Sequence, residues 1–301
     1  LKLFQNRFNI FFNFGQQITF NTMKTSTIRS RGLSGIFLAV LVLLTLSACK
    51  NQKSSQSGSK DEALTGSLAG KEDVIREISD YPLPTSFEVT TLLVDAGASY
   101  ILDLCNRVDN VNKYINLKSK ALNLGVYGAD LSYAATYRQT QETMQYLDAS
   151  AKLIDELQIG SFDKELVKKV EANIDDVDSL ITLISDSFYR TYEYLTNNEQ
   201  DELSILVMAG SWIEALYITS QISIVSADNS KIVEIINEQS TSLDKLLEIM
   251  APVSESAMSA DVFKGLTALQ AIYRNAEGDL SGKNLEALIV QTEKLRNQII
   301  S

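Results

Sequence analysis

Two acidic residues in otherwise apolar surroundings are the side chains whose type and spacing could do chemistry. Asp130 lies in Tyr127-Gly128-Ala129-Asp130-Leu131-Ser132-Tyr133, and Glu214 in Ala209-Gly210-Ser211-Trp212-Ile213-Glu214-Ala215-Leu216-Tyr217. On a helix, Tyr127 and Tyr133 stand three positions either side of Asp130, and Tyr217 stands three after Glu214, so each acid shares a face with a tyrosine. A buried carboxylate has to be hydrogen-bonded, paired or protonated. One arrangement that satisfies this is structural: tyrosine hydroxyls, with Arg138 and Arg190 nearby in sequence, hold the acids inside a core. A second is a polar pocket for a cation, an amine or a sugar-like ligand. A third is carboxylate-based catalysis, a hydrolase or lyase built on the acids and tyrosines. Asp95-Ala96-Gly97-Ala98-Ser99-Tyr100 repeats the same texture, and Trp212 with the run Tyr189-Arg190-Thr191-Tyr192-Glu193-Tyr194 offers either core aromatics or an aromatic wall.

The chain excludes much other chemistry. It has no histidine, which removes Ser-His-Asp and Cys-His nucleophile systems, the zinc helix with paired histidines and the Glu-x-x-His di-iron bundle. Asp175-Asp176-Val177-Asp178 lacks the oxygen-ligand spacing of a calcium loop and reads as a helix cap with a solvated face. Gly66-Ser67-Leu68-Ala69-Gly70-Lys71-Glu72 is one residue short of a phosphate loop and carries Glu where a magnesium-binding hydroxyl belongs. No metal and no cofactor are expected. The net charge is −11, and residues 1–48 hold five basic and no acidic side chains, so the 253 residues from Cys49 onward carry −16. A surface this acidic repels nucleic acid. Of the two cysteines, Cys105 in Ile101-Leu102-Asp103-Leu104-Cys105 is expected to be a small buried apolar side chain of a helix, without a disulfide.

The elements that must position these residues read as helices throughout. From Pro84 to Pro252 there is no proline for 167 residues, and apolar positions recur at three and four rather than two. The spacing predicts helices near 86–106, 117–137, 140–158, 163–173, 176–196, 199–226, 229–249, 259–275 and 283–299, with shorter ones at 72–79 and 108–115. Asn198 is read as the cap of the helix that opens Glu199-Gln200-Asp201-Glu202, Ser259 and Ser281 as similar openings, and Gly160 and Pro252 as stops. The expected fold is all-α, an antiparallel bundle of about 8–10 helices, without a fixed repeat period. Glycine inside a helix costs about 1 kcal/mol, so Gly97, Gly125, Gly128 and Gly210 ask for a reason. Close helix crossing is one, and room for a ligand the other.

Ahead of the helices the chain reads differently. Lys24, Arg29 and Arg31 precede the apolar run Ile36–Leu46, then Leu46-Ser47-Ala48-Cys49. That is the plan of a secretory signal, and the run is shorter than the roughly 20 residues a membrane-spanning helix needs. Leu46-Ser47-Ala48-Cys49 resembles the lipobox of bacterial lipoproteins. The resemblance implies that the Cys49 thiol is lipidated, that a signal peptidase cuts between Ala48 and Cys49, and that acyl chains anchor the mature protein to a membrane. Residues 1–22, rich in Phe and Asn, fit no part of this plan and are expected to be an upstream extension before a start at Met23. Beyond Cys49, a Ser-, Gly- and Lys-rich tract to about residue 71 is expected to be a flexible tether, and residues 72–301 a single all-α domain. Lys120-Ala121-Leu122-Asn123-Leu124-Gly125-Val126-Tyr127-Gly128-Ala129-Asp130-Leu131 and Gly210-Ser211-Trp212-Ile213-Glu214 are similar to uncharacterised all-helical lipoproteins of Bacteroidetes-type bacteria. That resemblance implies location and fold but no activity. Lys50 follows the cysteine and no acid appears before Asp61, which by the same resemblance points to the periplasmic face of the outer membrane. The expected function is a lipid-anchored envelope domain that binds an envelope protein, a peptide or a small ligand. The alternatives are the carboxylate and tyrosine enzyme above and a purely structural spacer.

Overall fold

The structure is a computed structural model that describes residues 86–160 and 164–301. The upstream extension, the signal and cleavage residues Ala48 and Cys49, the tether and the short helix at 72–79 lie outside the described residues. Within them the fold is an all-α bundle: α1 (Ser86–Asp95), α2 (Leu117–Thr136), α3 (Thr140–Glu156), α4 (Lys164–Ala172), α5 (Val177–Asn197), α6 (Asp201–Val225), α7 (Ser230–Met250), α8 (Ala260–Ala276) and α9 (Gly282–Ile300). Two 3-10 turns, Val108–Lys113 and Ala251–Val253, interrupt the connections.

Helices α2 and α6 form the centre, and their sequences explain why. Both are apolar around nearly their whole circumference, the pattern of a helix buried on all sides, and residues 121–135 of α2 are buried without a break. Helix α6 is long and apolar enough to cross a membrane, but 89% of its most apolar stretch is buried inside the protein, which makes it a core helix. The two helices touch backbone to backbone through reciprocal glycines. A Cβ on Gly125 would lie 2.0 Å from the Val207 carbonyl oxygen, and one on Gly210 would lie 2.0 Å from that of Leu122. Close crossing is therefore the reason for both. At Gly128 the missing side chain is replaced by the ring of Phe188 from α5.

Local rules set the ends of the helices. Asn116 caps α2 by accepting the Ser119 N–H at 2.8 Å, and Asp176 caps α5 by accepting that of Ser179 at 3.2 Å. Ser259 and Ser281 occupy N-cap positions as expected, although the Ser259 hydroxyl donates to Glu202 at 2.7 Å rather than capping its own helix.

Two expectations are corrected. The helix predicted over 86–106 stops at Asp95, because Gly97 takes φ +81° and closes a Schellman turn in which Ala98 N–H bonds Leu93 O at 3.0 Å and Gly97 N–H bonds Val94 O at 2.9 Å. Cys105 is therefore in an irregular segment rather than a helix. Asn198 does not open α6. It ends α5, with its side chain donating to Tyr194 O at 2.7 Å, and α6 starts after Gln200. The left-handed Glu199, φ +60°, makes the corner between them.

Candidate functional site

Asp130 and Glu214, on the two central helices, are brought together. Both are completely buried, at 0% exposure. Each lies one turn or so past the glycine crossing on its own helix, which is why the close approach of α2 and α6 also brings the acids close. Glu214 is paired with a residue from α9: Arg296 donates from Nε to Oε2 and from a terminal nitrogen to Oε1, both at 2.9 Å. This two-pronged bond satisfies both carboxylate oxygens. The guanidinium also lies 4.3 Å over the centre of the Tyr217 ring. Burial opposes the charge on Arg296, but Glu214 more than offsets it, and the guanidinium pKa is raised.

Asp130 is held differently. Its Oδ2 accepts the backbone N–H of Asn106 at 3.1 Å, while Oδ1, also buried, has no hydrogen-bond partner. Burial first, then the neighbouring Glu214, pushes its carboxyl well above the usual range, with Arg296 pulling the other way. Asp130 is thus biased toward its protonated form beside an ion pair. The Cys105 thiol lies against it, and burial, with Asp130 and Glu214, pushes that thiol up too. Cys105 is buried as expected, but its surroundings are polar: Asp130 and Tyr146 as well as apolar atoms.

The tyrosines named from the sequence do not bond the acids. Tyr127 donates to Arg107 O at 2.9 Å, and Tyr133 accepts the Ile101 N–H at 2.8 Å. Tyr137, the residue that ends α2, donates to Ala98 O at 3.0 Å. These hydroxyls pin the irregular segment between α1 and α2 across the central helix. Tyr100 of that segment stacks on Tyr133 with ring centres 4.6 Å apart and donates to Glu142 of α3. Asn106 adds a polar knot: its Nδ2 donates to Tyr114 Oη at 2.9 Å, and Tyr114 in turn donates to Ile300 O at 3.3 Å.

The cations proposed from the sequence are not the ones used. Arg138 and Arg190 are exposed, while Arg296 does the pairing. A signal for it was present: Leu288, Thr292, Leu295 and Ile299 form the buried stripe of α9, and Arg296 sits within that stripe, where an unpaired cation would be costly. Trp212 is buried in the hydrophobic core with its Nε1 unpartnered. Tyr189 of the tyrosine-rich run is half exposed and Tyr192 and Tyr194 are packed against the core.

Chemically, the centre combines a carboxyl biased toward its protonated form with one oxygen unpartnered, a carboxylate neutralised by a guanidinium, and a thiol, all closed off from solvent. Compared with protein-family models, with curated proteins and with solved structures, the chain finds no match in any of the three.

Proposed function

We propose that the protein is a lipid-anchored binding module of the cell envelope, held through Cys49 on the periplasmic face of the outer membrane and set off from it by the tether up to about residue 71. The lipobox-like Leu46-Ser47-Ala48-Cys49 and the polar tract after it support the anchor. The observation that carries binding over catalysis is the engagement of Glu214. A general base or nucleophile needs a free lone pair within reach of substrate, and both oxygens of Glu214 are taken by Arg296 in a fully buried position. The rival hydrolase or lyase has to break that pair before it can act.

The test is native purification from membranes through the lipid anchor, with identification of what accompanies the protein. A stoichiometric protein, peptide or small molecule is the expected result. Turnover of an envelope substrate that is lost in Glu214→Gln without a matching fall in melting temperature would replace this reading with the enzyme.

A further inference from the structure

The end of the bundle where α1 and α6 finish carries exposed apolar side chains. Helices α1, α2 and α6 run the same way. The Ser86 and Ser132 hydroxyls meet at 2.9 Å and those of Thr90 and Thr136 at 3.1 Å, while Asp130 and Glu214 both follow the glycine crossing of α2 and α6. Counted from that crossing at about 1.5 Å per residue, Val94 and Ile224 both lie roughly 22 Å along, at one level of the bundle. Val94, Ile224 and Val225 are 42%, 58% and 69% exposed, and α1 packs along α6.

The chain just ahead of α1 has a face to match. In Glu72-Asp73-Val74-Ile75-Arg76-Glu77-Ile78-Ser79-Asp80-Tyr81, helical spacing puts Val74, Ile75, Ile78 and Tyr81 within one sector of about 120° and every polar residue outside it. A helix this short is marginal alone in water, so its apolar face needs a counter-surface within reach. Tyr81 is five residues before Ser86, which limits their separation to about 17 Å. Val94 lies about 12 Å along α1 from Ser86. Ile115 and Leu117, exposed at 83% and 52% at the opposite end, lie about 23 Å or more from the level of Ser86 along α2. Leu102, Tyr189 and Val290 are exposed singly, and a lone apolar side chain cannot bury such a face. We propose that residues 72–81 dock as an amphipathic helix on Val94, Ile224 and Val225. The proposal rests on the tether reading in one respect: with this segment docked, the stretch that runs from Cys49 leaves the domain where α1 and α6 finish.

Trypsin reads the docking. Lys71 and Arg76 are both followed by glutamate, so their intrinsic cleavage is comparable, but only Arg76 lies inside the docked stretch. The purified full-length protein is treated with dilute trypsin under native conditions, and the two cuts are timed by mass spectrometry. The expected result is cleavage after Arg76 roughly tenfold or more slower than after Lys71, at a rate independent of protein concentration. Ile224→Ser with Val225→Ser brings the two rates together, and Ile75→Ser with Ile78→Ser, which leaves the bundle untouched, does the same. Equal rates in the parent protein overturn the proposal. So does protection that survives substitution at Ile224 and Val225, which places the segment on another surface. Protection lost on dilution also overturns it, because a second copy is then the occupant. Each of these failures leaves the lipid at Cys49 to be judged separately, by the mass of the N-terminal peptide.

Discussion

At the scale of single residues, Asp130 and Glu214 show how neighbouring acids are handled in opposite ways. Glu214 is matched by the guanidinium of Arg296, whereas burial and Glu214 itself push Asp130 toward its protonated form. The sign of the resulting pH dependence is unusual for an aspartate. Its pKa is raised above the unfolded value of about 3.9, so the native state keeps a proton that the unfolded chain releases. The stability this confers is complete below about pH 4 and is lost as pH rises toward the native pKa, by up to about 1.4 kcal/mol per unit. Asparagine keeps the acceptor for Asn106 N–H and never ionises. Relative to the parent protein, Asp130→Asn should therefore gain stability as pH rises above about 4 toward the native pKa of Asp130, read by urea denaturation, and a difference that stays flat with pH would show that this pKa is not raised. Arg296→Met tests the pair from the other side: stranding Glu214 should cost about 3–5 kcal/mol, with most of it recovered in the double variant Glu214→Leu/Arg296→Met. The acids were legible in the sequence because they interrupt apolar helices. Their partners were not, because Asn106 and Arg296 lie 24 residues before Asp130 and 82 after Glu214, and local periodicity carries no information about which distant element packs alongside.

Among the elements, the helices from α2 onward follow their apolar periodicity closely, since each buries a face or a whole circumference. Where the reading failed, a turn rule was at work. Gly97 was weighed as an interior glycine, yet Asp95-Ala96-Gly97 is a helix end, with glycine supplying the left-handed residue. Elsewhere the same role falls to Arg138, Gln158, Glu199 and Glu277, all at positive φ, and at Glu199 no glycine lies near the stop. That is why the boundary at Asn198 was misread. Non-glycine residues pay about 1–2 kcal/mol for this conformation, so Gln158→Gly should stabilise the protein by about 0.5 kcal/mol after the glycine's own entropic cost. Gly125 and Gly210 predict the reverse. Alanine at either gains helix propensity but drives a methyl into a backbone carbonyl at 2.0 Å. Each substitution should lose about 2–3 kcal/mol by chemical denaturation, and a neutral result would mean that α2 and α6 do not cross there.

For the whole molecule, we propose that a closed acidic domain is joined to a lipid anchor at Cys49. The all-α class was readable from residue spacing alone, and the centre of the bundle could be guessed from the two helices that are apolar all round. The irregular segment between α1 and α2 was hidden, because a stretch held by tyrosine hydroxyls and scattered core contacts such as Val111 and Tyr114 has no periodic signature. The −16 charge from Cys49 onward favours cationic over anionic partners. Everything in this picture depends on the protein being held at a membrane through its first mature residue. The most direct measurement is the mass of the N-terminal peptide of the protein extracted from membranes. The account predicts that this peptide begins at Cys49 and carries a diacylglyceryl group with an added acyl chain, and that Cys49→Ser leaves the membrane fraction. A peptide that reads unmodified through Ala48-Cys49, in protein still bound to the membrane, would contradict it.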